Sequence, residues 1–463
     1  MRRNRHANRN VPPLQGSVES KQAGKAARGK VPRSAQAEWT LAKRRHDLLA
    51  ILIRSDEGRI KSLLPIRYGR MAQSPFGFLR GSAAVMAFDL SRTPTTGIRV
   101  QACGDCHLMN FGAFATPERN VIFDINDFDE TLPAPWEWDV KRLAASIMVA
   151  GRYRQFSDRR TSDAVLDATQ TYREKMAEYA EWSPLQVWYA KIDASDVVEL
   201  GIAAKQPNQD PDALARAAAH TSARLLPKIT EVVAGRRQIR DDPPLVYHTH
   251  DAEEYGSHVK DALRAYRDSL PPWQQWLVDR YKPIDVAMKV VGVGSVGTRC
   301  AVTLLESGND EPLFLQFKEA RSSVLEPYAG KSAFRNEGQR VVVGQRRMQS
   351  ASDLFLGWSR TGKPPFDFYV RQLHDIKVAV NLDSLSPTAF KDYVRHCGWA
   401  AARAHAKTGD AAMIAAYLGN GDNFDAAIER FAQSYADQTE KDHESLVKAI
   451  RAGQVRADTN AAR

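Results

Sequence analysis

The sequence is poor in cysteine, with only Cys103, Cys106, Cys300 and Cys397 in a chain of 463 residues. So few thiols in so long a chain exclude a scaffold held together by disulfides and are typical of a reducing compartment, so we expect a cytoplasmic protein. The sequence also lacks any run of about 18 apolar residues, and we therefore expect no transmembrane helix and no membrane partner. No apolar stretch follows the basic N-terminus, so we expect no secretory signal.

Acidic residues are scarce at the N-terminus, where residues 1–40 contain nine Lys or Arg residues but only Glu19 and Glu38. This segment therefore carries most of the net charge of +10. It is rich in Asn, Gly, Ser, Gln and Pro and has few apolar residues to offset the entropy lost on ordering. We predict a disordered basic tail over residues 1–40. Apart from this tail, which could contact an anionic surface, we expect no nucleic-acid partner.

Hydrophobic periodicity divides the rest of the chain into helical and β-rich parts. Residues 41–284 are predicted to be mainly helical, and residues 285–375 are predicted to form a small β-rich lobe with one helix over 334–350. Helices return over residues 376–463, which complete the large lobe. The predicted strands are 98–102, 120–125, 285–291, 298–305, 313–318 and 368–370.

A polar segment over residues 103–130 contains side chains suited to phosphoryl transfer. Such chemistry needs a carboxylate that orients or deprotonates the attacking hydroxyl, and hard oxygen ligands for Mg²⁺. Asp105 followed five positions later by Asn110 has the spacing of a kinase catalytic loop. Asp127, beyond the next predicted strand, suits the role of a further metal ligand.

Three other interpretations of this segment stay open. One is a metal-dependent hydrolase whose Zn or Mn ligands are Asp105, His107, Asp124 and Asp127. A second is a redox or zinc pair formed by Cys103 and Cys106, although the sequence contains no second pair of closely spaced cysteines. The third is an acidic surface loop without catalytic function.

The string GDCHLMNFG, residues 104–112, resembles the GDxHxxN catalytic loop of aminoglycoside phosphotransferases and choline kinases. Asp127 and Asp139 have the separation found in those enzymes between a metal aspartate and an aspartate at a helix start. The resemblance implies Asp105 as catalytic base, Asn110 and Asp127 as Mg²⁺ ligands, and Asp139 as a structural support of the catalytic loop. Cys103 stands where those enzymes usually have a histidine. Supporting roles in the same region are assigned to His107, Asp124 and Asp129.

A second candidate region has the pattern G-x-G-x-x-G at Gly292, Gly294 and Gly297. The residues that follow are β-branched, which favours a hairpin over nucleotide phosphates rather than a dinucleotide-binding loop, because the latter needs a helix there. The next strand ends in Lys318, where a kinase places the lysine that contacts the phosphates of ATP. We expect Glu337, on the following helix, to pair with Lys318, with Glu326 as the alternative. A plain β-hairpin with a solvated lysine is the other interpretation.

The glycine pattern follows the catalytic-loop pattern, which reverses the order found in ordinary kinases. The string WAAARAHAKTGD, residues 399–410, resembles the helix that precedes the catalytic loop in phosphotransferases. Reading residues 285–410 before 103–152 restores the usual order and predicts a circularly permuted, protein-kinase-like α+β fold. Its two lobes are a large, mainly helical one and a small antiparallel β-rich one. Such a fold requires Lys318 and Asp127 to lie within about 15 Å, because one ATP has to reach both.

Three further side chains have both a functional and a structural interpretation. Arg80 and Arg371 are suited to bidentate recognition of phosphate, although a structural ion pair is the favoured interpretation of each. His405 lies on an apolar helical face and is interpreted as a hydrogen-bonded core histidine rather than a ligand.

From about residue 40 onward the chain resembles one uncharacterised bacterial family, domain of unknown function 2252. Strings that carry this resemblance are MAQSPFGFLRGSA, VGVGSVGTR, GQRVVVGQRRMQ and FAQSYADQTEKDH. The family implies no substrate. The residues above predict an Mg-ATP-dependent phosphotransferase that acts on an unidentified hydroxyl-bearing acceptor, and nucleotidyl transfer from the same site stays open. A catalytically silent nucleotide-binding or scaffold protein is the alternative from another class, and the metal-dependent hydrolase is the third.

Overall fold

The computed structural model describes residues 17–39, 47–193, 222–248, 252–373 and 377–458. Within these ranges the protein is a mixed α+β structure with small antiparallel sheets. Its helices are α1 Ser17–Lys30, α2 Leu48–Ser55, α3 Leu64–Ala72, α4 Pro75–Gly81, α5 Ala83–Leu90, α6 Trp136–Tyr153, α7 Asp158–Tyr179, α8 Pro184–Tyr189, α9 Ser222–Ile229, α10 Ala252–Asp268, α11 Pro272–Val278, α12 Glu326–Ala329, α13 Glu337–Met348, α14 Pro387–Thr408, α15 Ala411–Leu418 and α16 Asn423–Arg451. Its strands are β1 Arg99–Ala102, β2 Phe111–Ala115, β3 Val121–Ile125, β4 Leu132–Pro135, β5 Thr230–Val233, β6 Arg236–Ile239, β7 Val246–Tyr247, β8 Tyr281–Lys289, β9 Cys300–Ser307, β10 Pro312–Ala320, β11 Gly357–Thr361, β12 Phe366–Gln372 and β13 Lys377–Ala379. None of the helices in the described ranges combines the length and hydrophobicity that a membrane span would need.

The largest sheet has the strand order β11-β12-β10-β9-β8-β7, and its neighbouring strands are antiparallel. Strand β10 lies inside the sheet and is buried along its whole length. Its Lys318 is paired in register with Cys300 of β9 and Tyr369 of β12. Helix α13 packs on β10, β11 and β12. The strands and the helix predicted between residues 285 and 370 are therefore confirmed.

The helical part of the protein is centred on α6, which is buried along nearly its whole length. Helices α7, α14 and α16 pack around it and form the main hydrophobic core. Two small sheets, β1-β4 and β13-β2-β3, lie beside this core. Strand β1 pairs with β4, and β2 pairs with β3. The β1–β2 loop and the β3–β4 loop therefore both connect the same two small sheets. Asn126 N donates to Asn110 O at 2.7 Å and joins the two loops.

Residues 17–39 differ from the predicted disordered tail, because they form α1 and a 3-10 turn that pack on C-terminal helices. A Cβ atom on Gly24 would lie 2.2 Å from the carbonyl oxygen of Met413, so α1 contacts α15 closely. Arg33 donates to the carbonyl of Leu418 at 2.6 Å, at the end of α15. This bond satisfies one of the carbonyl groups that a helix C-terminus leaves unpaired. Tertiary contacts therefore order a segment whose polar composition predicts disorder.

The β-rich part of the protein begins before residue 285, the boundary that the sequence predicts. Strand β7 forms one edge of the largest sheet, and α10 packs against β11 at the other side. Tyr266 of α10 is buried and donates its hydroxyl to the carbonyl of Phe355 at 2.7 Å. Strands β5, β6 and β7 also lie in a stretch predicted to be mainly helical. Residues 1–16 of the predicted tail, together with 40–46, lie outside the described residues.

Candidate functional site

The loop between β1 and β2 is positioned by the carboxylate of Asp139, in the first turn of α6. Its Oδ2 accepts a hydrogen bond from Cys103 N at 2.6 Å, and its Oδ1 accepts one from Gly104 N at 2.9 Å. His405 Nε2 lies 3.2 Å from the same Oδ2, and the ring is buried, in contact with Tyr172 through Nδ1. Because charged acceptors make strong bonds to backbone amides, Asp139 determines the course of the loop. It occupies the supporting position that the sequence predicts.

Gly104 allows the β1–β2 loop to approach the β3–β4 loop closely. Its φ of +85° lies in the left-handed region that side chains with a Cβ rarely adopt. A Cβ at this position would also lie 2.4 Å from the carbonyl oxygen of Glu130. Glycine is therefore required at this position for two independent reasons.

Asp105 is held at its side chain and at its backbone. Arg142 of α6 donates Nε and Nη2 to Oδ1 at 2.9 and 2.6 Å. Asn110 Nδ2 donates to the backbone carbonyl of Asp105 at 2.7 Å, which leaves the Asn110 side-chain oxygen for another ligand. Oδ2 of Asp105 lies 3.8 Å from His107 Nε2. The predicted base and the predicted metal ligand are thus neighbours.

Burial changes the charge of two groups beside Asp105. Desolvation lowers the pKa of His107 from 6.5 to about 3, although the Asp105 carboxylate opposes this change. Desolvation also raises the pKa of Glu130 from 4.5 to about 7, although a hydrogen bond from Val324 N, at 2.7 Å, favours the charged form. At neutral pH the imidazole is uncharged, and the Glu130 carboxyl is near the midpoint of its titration.

Lys318 extends from β10 to the β3–β4 loop. Its Nζ lies 2.5 Å from Asp129 Oδ2 and 3.6 Å from Asp127 Oδ2. Burial lowers the pKa of Lys318, but the Asp127 and Asp129 carboxylates outweigh it and hold that pKa well above its usual value. The side chain is 4% exposed and charged. Lys318 and Asp127 therefore lie well within the separation of about 15 Å that a shared nucleotide requires.

Asp129 joins three parts of the site. Its Oδ1 accepts from the Tyr369 hydroxyl of β12 at 2.8 Å. Its Oδ2 accepts from Ser295 Oγ of the glycine loop at 3.0 Å, in addition to the Lys318 ammonium. The sequence indicates a supporting role for Asp129 but none of these three partners. The only sequence signal is its position two residues after Asp127.

Glu337 does not pair with Lys318, and that prediction is corrected. Its Oε2 accepts from Arg340 Nε at 2.6 Å, one turn further along α13. Arg340 in turn donates to the backbone carbonyl of Asp129 at 2.8 Å. The alternative, Glu326, accepts from a backbone amide six residues away and does not reach the lysine either. The nearby Arg340 guanidinium satisfies Glu337, and the β3–β4 loop supplies the carboxylates for the lysine.

The glycine loop between β8 and β9 is attached to the helical part of the protein. Gly292 and Gly297 have φ values of +67° and +87°, whereas Gly294 does not adopt a positive φ. Arg70 Nη1 donates to the carbonyl of Gly292 at 2.5 Å, and Arg59 Nη1 donates to that of Val296 at 2.6 Å. These bonds connect the loop with α3 and with the turn before it.

Asp124 is a core residue in this structure. It is fully buried, and Arg403 Nη2 donates to both of its oxygens at 2.8 Å, while Ser350 N donates at 2.9 Å. Within the described ranges, no group of three or more His, Cys, Asp or Glu residues is placed to hold a metal. The four ligands expected for a metal-dependent hydrolase are thus not brought together as one such group.

Cys103 and Cys106 are free, buried thiols. Cys103 Sγ donates to the backbone carbonyl of Asp127 at 3.2 Å and so links the two loops. Hydrogen bonding to Cys106, together with burial, holds the pKa of the Cys103 thiol well above its usual value. A thiol of this kind is a poor nucleophile and metal ligand, because both roles need the thiolate.

Two cavities meet at the glycine loop. The first, of about 490 Å³, is lined by Lys318, Arg371 and the end of β12. The second, of about 560 Å³, is lined by Asp105, Asn110 and residues of α2 to α5. Residues that line both are Asp127, Gly292 and Ser295. The predicted base therefore lies in one cavity and the predicted phosphate-binding lysine in the other, with Asp127 between them.

The residues that hold these groups in place were not predicted from the sequence. Arg142 lies three positions after Asp139 on α6, so both side chains face the β1–β2 loop, and this spacing is a usable signal. Ser295 and Tyr369 become neighbours only through the pairing of distant strands, and no local pattern indicates their contacts with Asp129.

Comparison with known proteins gives one family match. The family model described as "Uncharacterized protein conserved in bacteria (DUF2252)" matches residues 59–449, well over half of the chain. Neither the curated proteins nor the solved structures contain a match to the chain.

Proposed function

We propose that the chain, which belongs to this bacterial DUF2252 family, transfers a phosphoryl group from ATP to a hydroxyl-bearing acceptor with the help of Mg²⁺. The observation that carries this proposal is the contact of Lys318 with Asp127 at the wall shared by the two cavities. Phosphoryl transfer requires a cation on the nucleotide phosphates, an oxygen ligand for the metal and a backbone loop over the phosphates. Lys318, Asp127 and the glycine loop supply these three elements.

A circularly permuted, kinase-like fold with two lobes is part of the proposal. In protein kinases the glycine loop precedes the strand that carries the lysine, and a helix follows that strand. The order β8, glycine loop, β9, β10 with Lys318, and α13 agrees with this arrangement. In protein kinases the catalytic loop and the metal aspartate come after these elements. Asp105 and Asp127 follow in that order only when residues 103–152 are read after α14.

The residues present fit a magnesium ion. Mg²⁺ is usually held by one or two protein oxygens, with phosphates and water completing the octahedron, so a larger cluster of acidic side chains is not needed. The Asp127 carboxylate is 33% exposed at the boundary of the cavities. The side-chain oxygen of Asn110 is oriented by the bond from its Nδ2 to Asp105 O. When bound there, the ion supplies positive charge that offsets the charge developing on the transferring phosphoryl group.

Asp105 is the group that accepts the proton of the acceptor hydroxyl. Its Oδ1 is held by Arg142, so Oδ2 is the oxygen directed to the acceptor. Positioning of the hydroxyl contributes more to this chemistry than basicity does, because the transition state of phosphoryl transfer is loose. The neutral His107, beside Oδ2, adds no competing positive charge.

A catalytically silent nucleotide-binding protein is the second candidate, and one observation favours it. Two hydrogen bonds from a buried guanidinium already engage Asp105. Such a carboxylate can serve a structural role as the partner of Arg142. In that case the nucleotide site would function in binding alone.

Thermal unfolding with and without Mg²⁺ and ATP tests the proposal. Ligand at about 100 times Kd stabilises a folded protein by about 2.7 kcal/mol, which is readable as a rise in Tm. We expect an Mg-dependent rise for the wild type and for the control Glu337→Gln, and no rise for Lys318→Met or Asp127→Asn, each compared with its own ligand-free Tm. Asp105→Asn should keep the rise and abolish ADP release. No rise in the wild type would refute the phosphotransferase, and a rise without any turnover would favour the silent protein.

A further inference from the structure

The second cavity has two chemically different ends. One end contains the predicted catalytic residues Asp105 and Asn110. The other end is formed by α2 to α5 and the chain after β10, and it is rich in guanidinium groups. The arginines that line it are Arg54, Arg59, Arg67, Arg80 and Arg321.

Four of the five acidic residues that line this cavity are Asp105, Asp127, Asp129 and Glu319, and they form ion pairs with cations that do not line it. Asp105 is paired with Arg142, and Asp129 is paired with Lys318. Glu319, also in the lining, is paired with Arg299 at 3.2 Å. The fifth, Glu130, accepts a hydrogen bond from Val324 N, and its charge acts on Arg59.

The arginines have too few anionic partners of their own. Arg59 and Arg67 share the single carboxylate of Asp56, at 3.7 and 3.2 Å. Among the described residues, the acceptors of Arg321 are backbone carbonyls, one of which is Ser55 O at 3.1 Å. Burial, together with the neighbouring Arg67 and Arg321, lowers the pKa of Arg59 to about 9, although Asp56 and Glu130 oppose this change. The five arginines of this end thus outnumber the carboxylates beside them, Asp56 and Glu130.

Arg80 is the arginine of this cluster that interacts with the catalytic end. Its Nε is buried and has no hydrogen-bond partner among the described residues. Its charge interacts with both Asp105 and His107. A buried donor without a partner destabilises a protein, so such a group is a feature that a ligand would explain. The favoured prediction of a structural ion pair for Arg80 is not realised within the described ranges.

We propose that the acceptor is an anion, whose phosphate or carboxylate group binds Arg80 and the neighbouring arginines while its hydroxyl reaches Asp105. Arginine binds both groups through paired hydrogen bonds. This inference rests on the proposed function and adds the acceptor class. In the reaction, the hydroxyl oxygen forms a bond to the γ-phosphorus of ATP, the bond from that phosphorus to the bridging oxygen breaks, ADP leaves with the electron pair, and the hydroxyl proton passes to Asp105. Choline and aminoglycosides are cations, so this acceptor differs in charge from those of the enzymes that the catalytic loop resembles.

Anion binding by the full chain tests this proposal, with inorganic phosphate and acetate as probes at constant ionic strength. The Tm is measured as a function of the concentration of each anion for the wild type, Arg80→Gln, Arg321→Gln and Lys318→Met. The control is Arg160→Gln, an exposed residue on α7. We expect a saturable rise in Tm for the wild type, the control and Lys318→Met. The apparent affinity for the anion should be at least tenfold weaker in Arg80→Gln and in Arg321→Gln. Because two separate arginine variants are measured, a folding defect in one of them does not leave the proposal untested. A rise with phosphate alone assigns a phosphoryl group to the acceptor, and a rise with acetate alone assigns a carboxylate.

Three results would overturn the proposal. The first is no rise in the Tm of the wild type with either anion. The second is an equal anion affinity in the arginine variants and the wild type. The third is loss of the rise in Lys318→Met, which would place the anion in the nucleotide cavity. Failure of the proposed function is detected separately, because the response to Mg-ATP is measured on the same proteins. A wild type that binds phosphate through Arg80 but does not bind Mg-ATP would refute the phosphotransferase and leave an anion site.

Discussion

Lys318 and Asp129 form an ion pair of 2.5 Å between the middle of the largest sheet and the loop after β3. Asp129 is thus the partner of Lys318, a role that the sequence assigned to Glu337 of α13. The pair joins the β-rich part to the helical part at the wall shared by the two cavities. The stability of the protein and the shape of its candidate site therefore depend on the same contact.

Breaking this pair is expected to destabilise the protein. The Lys318 side chain is 4% exposed and that of Asp129 is 26% exposed, so removal of either partner leaves a poorly solvated charge. We expect Lys318→Met and Asp129→Asn each to lower the free energy of unfolding by about 3 kcal/mol. The double variant should lose less than the sum, with a coupling energy of about 1–3 kcal/mol. Urea unfolding of the four proteins measures this coupling, and simple additivity would show that the two groups do not interact.

The support of the β1–β2 loop by Asp139 predicts a second effect. Asparagine replaces one of the two acceptor oxygens by an NH2 donor, so Cys103 N or Gly104 N loses its acceptor, and the other amide keeps only a neutral one. We expect Asp139→Asn to lower the free energy of unfolding by about 2 kcal/mol. Asp158→Asn is the matched control, because Asp158 lies in the first turn of α7 and is exposed. Equal losses in the two variants would mean that a general effect of helix charge, rather than loop support, explains the result.

Gly104 and Gly97 provide a matched pair for the close approach of the two loops. Both have a positive φ, of +85° and +79°, but a Cβ at Gly97 meets no atom within 4 Å. We expect Gly97→Ala to cost about 1 kcal/mol, through backbone strain alone. Gly104→Ala should cost about 1–3 kcal/mol more, because its Cβ would overlap the carbonyl of Glu130. Chemical denaturation measures both, and similar losses would contradict the contact.

The raised pKa of Glu130 predicts a pH-dependent contribution to stability. A carboxyl whose folded pKa of about 7 exceeds its usual 4.5 stabilises the fold most below pH 4.5, and this contribution is lost as the pH rises through 7. Glu130→Gln removes the titration but keeps an oxygen that can accept from Val324 N. The unfolding free energy of Glu130→Gln minus that of the wild type should therefore increase between pH 5 and pH 8, by the order of 3 kcal/mol. A difference that does not vary with pH would show that Glu130 titrates normally.

Much of the architecture could be predicted because local patterns determine it. The β-like apolar runs around Thr303 and Leu315 predict the central strands, and the helical pattern after residue 376 predicts α14. The spacing of Asp105, Asn110 and Asp127 indicated side chains that the structure brings to one pair of cavities. These signals depend on neighbours in the sequence, which periodicity and spacing report directly.

What the sequence could not indicate depends on contacts between distant segments. The sequence paired Glu337 with Lys318 because both positions suit a kinase. In the structure Glu337 instead binds Arg340, which lies one helical turn further along α13. The order of residues 17–39 comes from contacts with α15, which no local composition reveals. The arginine cluster is likewise visible only when α2, α3 and the chain after β10 are placed together, with Arg59 and Arg321 as neighbours.

The central claim is that two segments far apart in the chain, the loops around Asp105 and Asp127 and the hairpin that leads to Lys318, form one nucleotide site. Hydrogen exchange with and without Mg²⁺ and a non-hydrolysable ATP analogue tests this claim most directly, because each segment reports its own protection. We predict slower exchange in residues 103–112 and 126–131 and also in 290–299, with no change in the exposed turns of α7. Protection of only one of the two segments, or of neither, at saturating analogue would contradict the claim.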